Sequence, residues 1–222
     1  MSNNHIKDNY IHYPKKSHLY TIIYLHGFMG IGHDYNRKFI SSKFIQDNCK
    51  VIFPTAPILN ITIYNKKYHS WYDYLTDSKS EEENKINLLD LEKANNKIKK
   101  IIDSEYKILK DYKKIYIGGV SQGVSTSFHI FMSYRYNLGG YFGVMGNILK
   151  DSFNKIKKNV PMVFFSSLSD KIIKWKWTKK NILLLQKDYT NVKVFTENNV
   201  SHESYKKEKE WFNKLVLYLL QQ

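Results

Sequence analysis

The sequence contains a single cysteine, Cys49, in 222 residues. That excludes an internal disulfide and fits a reducing compartment. No stretch of about 18 apolar residues occurs, so no membrane-spanning helix is expected. Residues 1–16 are polar and lack the apolar core of a secretory signal. Neither Met1-Ser2 nor the terminal Gln221-Gln222 forms a lipidation motif. Together these features predict a cytoplasmic protein. Arginine is almost absent: Arg37 and Arg135 are the only two, although the formal net charge is +15. The excess is therefore lysine, spread along the chain. The planar guanidinium forks that read bases and phosphates are almost absent. No specific nucleic-acid partner is expected, and the lysine excess reads as a composition rich in Lys, Asn, Ile and Tyr. At most a weak, peripheral attraction to anionic lipid headgroups remains. No internal repeat occurs, and no linker is long enough to separate two domains. The histidines and the cysteine show no metal-ligand spacing, so neither a metal nor a cofactor is expected.

Against these absences stands Gly119-Val120-Ser121-Gln122-Gly123, a G-x-S-x-G motif. Lys114 to Gly118 precedes it as a β-branched, aromatic run that predicts a buried strand. Val124 to Met132 follows and can form a helix packed on a sheet. Strand, sharp turn and helix are the setting of a nucleophile elbow, which holds a serine hydroxyl out above the sheet. Elsewhere strand and helix patterns alternate, which predicts an α/β fold with a mainly parallel central sheet and helices on both faces. Strands are expected at Leu19–Leu25, Val51–Phe53, Tyr141–Met145, Met162–Phe165 and Val192–Thr196. Helices are expected at Leu88–Leu109, Trp175–Leu185 and Tyr205–Leu220. The acidic stretch Asp77–Lys85 reads as a surface loop.

In enzymes built on such an elbow, an acid and then a histidine follow the serine along the chain. Two histidines follow Ser121. His129 falls inside the helix after the elbow and reads as a packed or surface residue. His202 lies in a polar loop between the last strand and the closing helix, where a general base belongs. Three aspartates follow Ser121. Asp151 and Asp188 sit in polar, lysine-containing connections and read as solvated. Asp170 lies just beyond a strand end, where a carboxylate can accept the imidazole Nδ1–H and fix its tautomer. Glu197 is the alternative acid. The Gln122 backbone N–H is expected as one oxyanion donor. The Phe28 N–H, in the His26-Gly27-Phe28 loop after an early strand, is expected as the other.

With these residues assembled, the chain resembles the acyl-protein thioesterase, lysophospholipase and carboxylesterase family of α/β-hydrolases. The resemblance rests on Leu25 to His33, a strand running into Leu-His-Gly and a glycine-containing loop. It rests further on Phe53-Pro54-Thr55-Ala56-Pro57, Ser70-Trp71-Tyr72-Asp73, Gly118 to Gly123, Asp170-Lys171-Ile172-Ile173 and His202. It spans about Leu19 to Leu220. It implies a single α/β-hydrolase domain over 19–222 after a polar segment, 1–18. The implied activity is Ser-His-Asp hydrolysis of acyl thioesters or carboxylic esters, first of all on palmitoylated proteins. The implied site is Ser121, Asp170 and His202, with the Phe28 and Gln122 amides. A lysophospholipase or small-ester carboxylesterase would use the same residues. A non-catalytic hydrolase fold that binds an acyl ligand or a partner is the alternative of another class. The implied partners are an acylated protein or a lipid ester, with the chain a monomer or weak homodimer.

Three positions depart from the family pattern. Val124 replaces a second glycine after Ser-Gln-Gly. Lys171 replaces the proline after the acid. Val144-Met145-Gly146-Asn147 replaces a strand that ends in serine and an aromatic. The acyl group needs an apolar wall. Ile58, Leu59, Ile61, Ile63 and Trp71 are expected on one side of it, and Ile172 and Ile173 on the other.

Overall fold

Ile22 and Tyr24 leave their strand on one side and Ile23 and Leu25 on the other, as strand geometry requires. All four side chains are fully buried. A strand buried on both faces needs helices on both sides of its sheet. The computed structural model, which describes residues 9–77, 85–149, 152 and 159–222, has that architecture. Its strands are β1 (Asn9–His12), β2 (Tyr20–Leu25), β3 (Cys49–Pro54), β4 (Ile58–Ile61), β5 (Lys66–His69), β6 (Ile115–Val120), β7 (Gly140–Val144), β8 (Met162–Ser167) and β9 (Val192–Glu197). Its helices are α1 (Lys43–Asn48), α2 (Leu88–Leu109), α3 (Gln122–Ser133), α4 (Trp175–Asp188) and α5 (Tyr205–Leu220).

Among the described residues, seven strands form the central sheet in the order β1-β3-β2-β6-β7-β8-β9. All neighbours run parallel except β1, which pairs antiparallel with β3 from Asn9↔Pro54 to His12↔Val51. Ile23, Leu25, Ile117, Tyr141 and Phe164 pack with α2, α3 and α4 on one face. Ile22, Tyr24, Phe53, Phe142 and Phe165 pack with α1 and α5 on the other. The chain lays β3 on one side of β2 and later returns to place β6 on the other. The carboxyl ends of β2 and β6 therefore flank the point where the strand order reverses. Ligands of such sheets bind in the crevice outside that point.

The expected helices Leu88–Leu109 and Tyr205–Leu220 have those bounds. Asn87 caps α2 by accepting the Leu89 and Asp90 amides, and Ser204 caps α5 by accepting the Lys207 amide. Three short elements had no periodicity by which to be recognised. Edge strand β1 joins the sheet before the expected domain start at Leu19. Helix α1 makes little more than one turn. The segment expected as an apolar connecting loop is the hairpin β4–β5, which turns through Asn65 at a φ of 47°. Of the loop expected at Asp77–Lys85, residues 78–84 lie outside the described residues.

Candidate active site

Strand β6 runs to Val120 and α3 begins at Gln122, so Ser121 alone makes the turn between them. Its φ of 51° and ψ of −119° form a strained conformation that costs a non-glycine residue roughly 1–3 kcal/mol. The flanking glycines permit the close approach. A Cβ on Gly119 would lie 2.4 Å from the Gly123 carbonyl oxygen, and one on Gly123 would lie 2.1 Å from that of Leu25. The hydroxyl thus stands at the carboxyl edge of the sheet, at the positive end of α3.

His202 meets it there. Its Nε2 is 2.9 Å from Ser121 Oγ, and its Nδ1 is 2.7 Å from Asp170 Oδ2. An ionised carboxylate only accepts, so Nδ1 carries the proton and Nε2 is left to accept from the serine. The Asp170 side chain is 1% exposed, and its Oδ1 accepts the Ile172 and Ile173 amides, each at 2.8 Å. The loops carrying Asp170 and His202 are bound to each other. Ser167 Oγ donates to the Val200 carbonyl, Asn199 N–H donates to Ser169 Oγ, and Leu168 N–H donates to the Glu197 carbonyl. Glu197, the alternative acid, pairs instead with Lys207 at 2.8 Å. Asp188 is exposed, and Asp151 lies outside the described residues.

The loop after β2 closes over the serine: a Cβ on Gly27 would lie 3.2 Å from Ser121 Cβ. Among the described residues, neither the Phe28 nor the Gln122 amide donates to a protein acceptor. The buried His26 imidazole orients the first of them. Its Nε2 accepts the Ala56 amide at 2.9 Å, which leaves Nδ1–H to donate to the Gly27 carbonyl at 2.6 Å. In a planar trans peptide, holding the Gly27 C=O one way turns the Phe28 N–H the opposite way. Burial pushes the His26 imidazole down to about 4, which keeps it neutral in this role.

The Ser-Gln-Gly and Ser-Trp-Tyr-Asp motifs meet in space. The buried Gln122 carboxamide accepts the Trp71 amide at 3.0 Å and donates to Ser70 Oγ at 2.8 Å and to the Tyr72 carbonyl at 3.2 Å. Trp71 Nε1–H then donates to the His26 carbonyl at 2.8 Å. Two of the departures also meet. A Cβ on Gly146 would fall 2.5 Å from Val124 Cβ, so the valine fills the space that the glycine leaves.

The expected acyl wall divides. Ile58 and Ile172 are exposed, and Leu59, Ile63 and Ile173 are partly so. Trp71 and Ile61 are corrected: both are 0% exposed and offer no surface to a ligand. Trp71 instead packs on the His26 ring, with centroids 4.8 Å apart, beneath the loop. A contact that hydropathy did not single out is the aromatic group around Phe28, whose ring meets Tyr64, Tyr68 and Tyr74 at centroid distances of 5.8, 5.5 and 5.5 Å. With the Met29 N–H donating to the His69 carbonyl, these rings fasten the Phe28 loop to the β4–β5 hairpin. Met29, Ile58, Tyr64, Leu168 and Ile172 are exposed apolar side chains on the segments that carry the site.

His129 is not near Ser121's partners. Its Nδ1 lies 2.9 Å from Ser152 Oγ and its Nε2 lies 2.9 Å from Glu92 Oε1. It joins α3 to α2 and to the residues after β7. Among the described residues, no helix is long and apolar enough to cross a membrane.

Known proteins are similar to this chain in sequence and in fold. Acyl-protein thioesterase 1 of Schizosaccharomyces pombe is 29% identical over 169 residues, 72% of each chain. Acyl-protein thioesterase 1 homolog 2 of Dictyostelium discoideum is 27% identical over 194 residues, 84% of each chain. Among solved structures, acyl-protein thioesterase 2 of Zea mays superposes with a TM-score of 0.78 at 18% identity, covering 96% of this chain and 98% of that one. SOBER1 of Arabidopsis thaliana superposes with a TM-score of 0.79 at 20% identity, covering 90% and 99%. The sequence profile of the phospholipase/carboxylesterase family matches residues 6–218, and the chain belongs to that family.

Proposed function

We propose that this protein is a Ser-His-Asp hydrolase of acyl thioesters and carboxylic esters, and that its physiological substrates are palmitoylated proteins. The observation that carries the reading is the continuous row Asp170–His202–Ser121, at 2.7 and 2.9 Å, ending on a serine at a strained elbow. The thioester preference draws on the relatives named acyl-protein thioesterase. The exposed apolar side chains around the site suit an acyl chain.

In this mechanism Ser121 Oγ attacks the acyl carbonyl as its proton passes to His202 Nε2. The Phe28 and Gln122 amides stabilise the oxyanion, and Asp170 stabilises the imidazolium. Collapse breaks the C–S bond, and the cysteine thiolate leaves with the proton from His202. Water, deprotonated by His202, then hydrolyses the acyl-enzyme to the carboxylic acid and free Ser121. Loss of one oxyanion donor costs such an enzyme roughly 100- to 1,000-fold in turnover.

Lysophospholipids and small esters present the same carbonyl to the same residues, so a substrate panel decides among them. The first experiment is intact-protein mass after a fluorophosphonate, on wild type, Ser121→Ala and His202→Ala, followed by hydrolysis of palmitoyl-cysteine peptides, lysophosphatidylcholine and p-nitrophenyl butyrate. One adduct on wild type and none on the variants is expected, with the palmitoyl peptide cleaved fastest. A well-folded wild type that takes no adduct would turn the assignment to a non-catalytic, acyl-binding fold.

A further inference from the structure

Two lysines a turn apart on α2 take different partners. Lys93 pairs with the Asp90 carboxylate at 3.3 Å. The partly buried Lys97 instead donates to the Thr55 backbone carbonyl, just beyond β3, at 2.9 Å. Among the described residues no carboxylate pairs with it. Thr55 and Ala56 share one planar trans peptide, so the Ala56 N–H points away from that carbonyl. There it donates to His26 Nε2 at 2.9 Å, and His26 Nδ1–H donates to the Gly27 carbonyl at 2.6 Å. The Gly27–Phe28 peptide reverses direction once more and presents the Phe28 N–H. Four donors therefore point in one sense along a row: the Lys97 ammonium, the Ala56 amide, the His26 Nδ1–H and the Phe28 amide. A donor that draws electrons from a carbonyl or an imidazole nitrogen strengthens the N–H at the far side of the same π system. The first donor is charged, and a charge-assisted hydrogen bond is roughly twice as strong as a neutral one. The segment between is fixed. Gly32 N–H donates to Thr55 Oγ1 at 2.9 Å, and His69 Nδ1–H donates to the Ala56 carbonyl at 2.7 Å. The His69 carbonyl in turn accepts the Met29 N–H, so the Thr55–Ala56 segment and the Phe28 loop move only together.

We propose that Lys97 is a positioning residue of the active site, acting through the Thr55–Ala56 peptide and the His26 imidazole to fix and polarise the Phe28 amide. The inference rests on the assignment of Ser121 as nucleophile and of the Phe28 N–H as an oxyanion donor. Every link in the row is a direct hydrogen bond or a shared peptide, and each acts in the sign that favours negative charge at the Phe28 amide. The effect therefore grows as the oxyanion develops and is small while substrate is merely bound. A tether of α2 to the end of β3 would need the first contact alone.

Lys97→Met keeps an unbranched apolar stem and removes the charged donor. With p-nitrophenyl butyrate its kcat should fall about three- to tenfold with KM unchanged, a smaller loss than deletion of an oxyanion donor. A trifluoromethyl ketone, whose carbonyl carbon takes the Ser121 oxygen and leaves an oxyanion at the two amides, should bind more weakly by the same factor. The decisive comparison repeats the substitution in a His26→Ala background, where the row is already cut. There Lys97→Met should change kcat by less than about twofold. Melting temperatures monitor folding throughout. Should Lys97→Met fail to fold, Lys97→Gln, which retains a neutral donor, carries the same two-background comparison. A tether alone would lower the melting temperature in both backgrounds and leave kcat and ketone affinity in place. That result, or a kcat loss of equal factor in both backgrounds, overturns this inference and leaves the triad standing. A folded wild type that neither labels with a fluorophosphonate nor hydrolyses the ester removes both.

Discussion

Two rows of serine, histidine and carboxylate lie in this molecule at nearly the same separations. Ser121–His202–Asp170 measures 2.9 and 2.7 Å, and Ser152–His129–Glu92 measures 2.9 and 2.9 Å. They differ in what surrounds them. Ser121 has a φ of 51° and sits at the start of α3 beside amides that, among the described residues, have no protein acceptor. Ser152 is buried, and its own N–H donates to the Leu149 carbonyl. The Asp170 side chain is 1% exposed and accepts two backbone amides, whereas that of Glu92 is 54% exposed. The rings are also reversed: His202 presents Nε2 to its serine, and His129 presents Nδ1. Hydrogen-bond distances among three side chains therefore do not tell the two rows apart. The Ser121 row adds a partly exposed serine at a strained turn, the two neighbouring amides and a shielded carboxylate, the surroundings that an activated nucleophile requires.

The comparison breaks most completely if Ser152 proves reactive. Ser121→Ala should abolish fluorophosphonate labelling and lower kcat/KM by about 10,000-fold or more. Ser152→Ala should leave both unchanged, and an adduct mapped to Ser152 by peptide mass would erase the distinction. The acids should separate nearly as widely. Asp170→Asn is expected to lower kcat by up to about 10,000-fold through the wrong tautomer. Glu92→Gln should have no effect on turnover, and a loss there would mean that the His129 row reaches the site.

The oxyanion loop sharpens the contrast further. His26→Ala frees the Gly27–Phe28 peptide and should lower kcat by about tenfold to a hundredfold with little change in KM. An equal rise in KM would assign His26 to substrate binding instead. The same histidine sets a pH limit on stability. Its ring is lowered from 6.5 to about 4 in the fold, so on acidification the unfolded chain binds the proton first. Stability is full above about pH 6.5 and falls by up to about 3 kcal/mol toward pH 4. Urea unfolding at pH 7, 5.5 and 4 measures this, and a curve without slope in that window argues against a neutral buried His26.

The smallest expected effect belongs to the His129 row. The Glu92 carboxyl group is lowered chiefly by its hydrogen bond to His129. Its contribution is present above the ordinary value of 4.5 and is lost as the pH falls through the depressed one. Because Glu92 is largely exposed, solvent screening limits that contribution to below about 1 kcal/mol. A Glu92→Gln melting curve at pH 7 shifted by more than a few degrees would place more of the fold's stability in this row than its exposure allows.

Much of this was legible along the chain. The helical period of Leu91, Ala94, Ile98 and Ile102 marked α2, and glycines around a serine between strand and helix marked the elbow. Asp170 and His202 followed from chain order and from their places beyond strand ends. Edge strand β1 and hairpin β4–β5 escaped because elements of four residues carry too little period and depend on their pairing partners. Trp71 and Ile61 were misassigned to the acyl wall because hydropathy scores a buried side chain and a ligand-facing one alike.

Local pattern sufficed for the alternation of strand and helix, the strained turn at Ser121 and the identities of its partners, because backbone sterics and apolar periodicity act over a few residues. Tertiary packing decided the rest. It bound Gln122 to Ser70 and Trp71, matched Val124 to Gly146 and brought Lys97 to the Thr55 carbonyl. It also set one serine–histidine row at the strained elbow and the other between α3 and α2. Each of these depends on residues far apart in the chain that meet only when helices close on both faces of the sheet, and no local spacing encodes such a meeting.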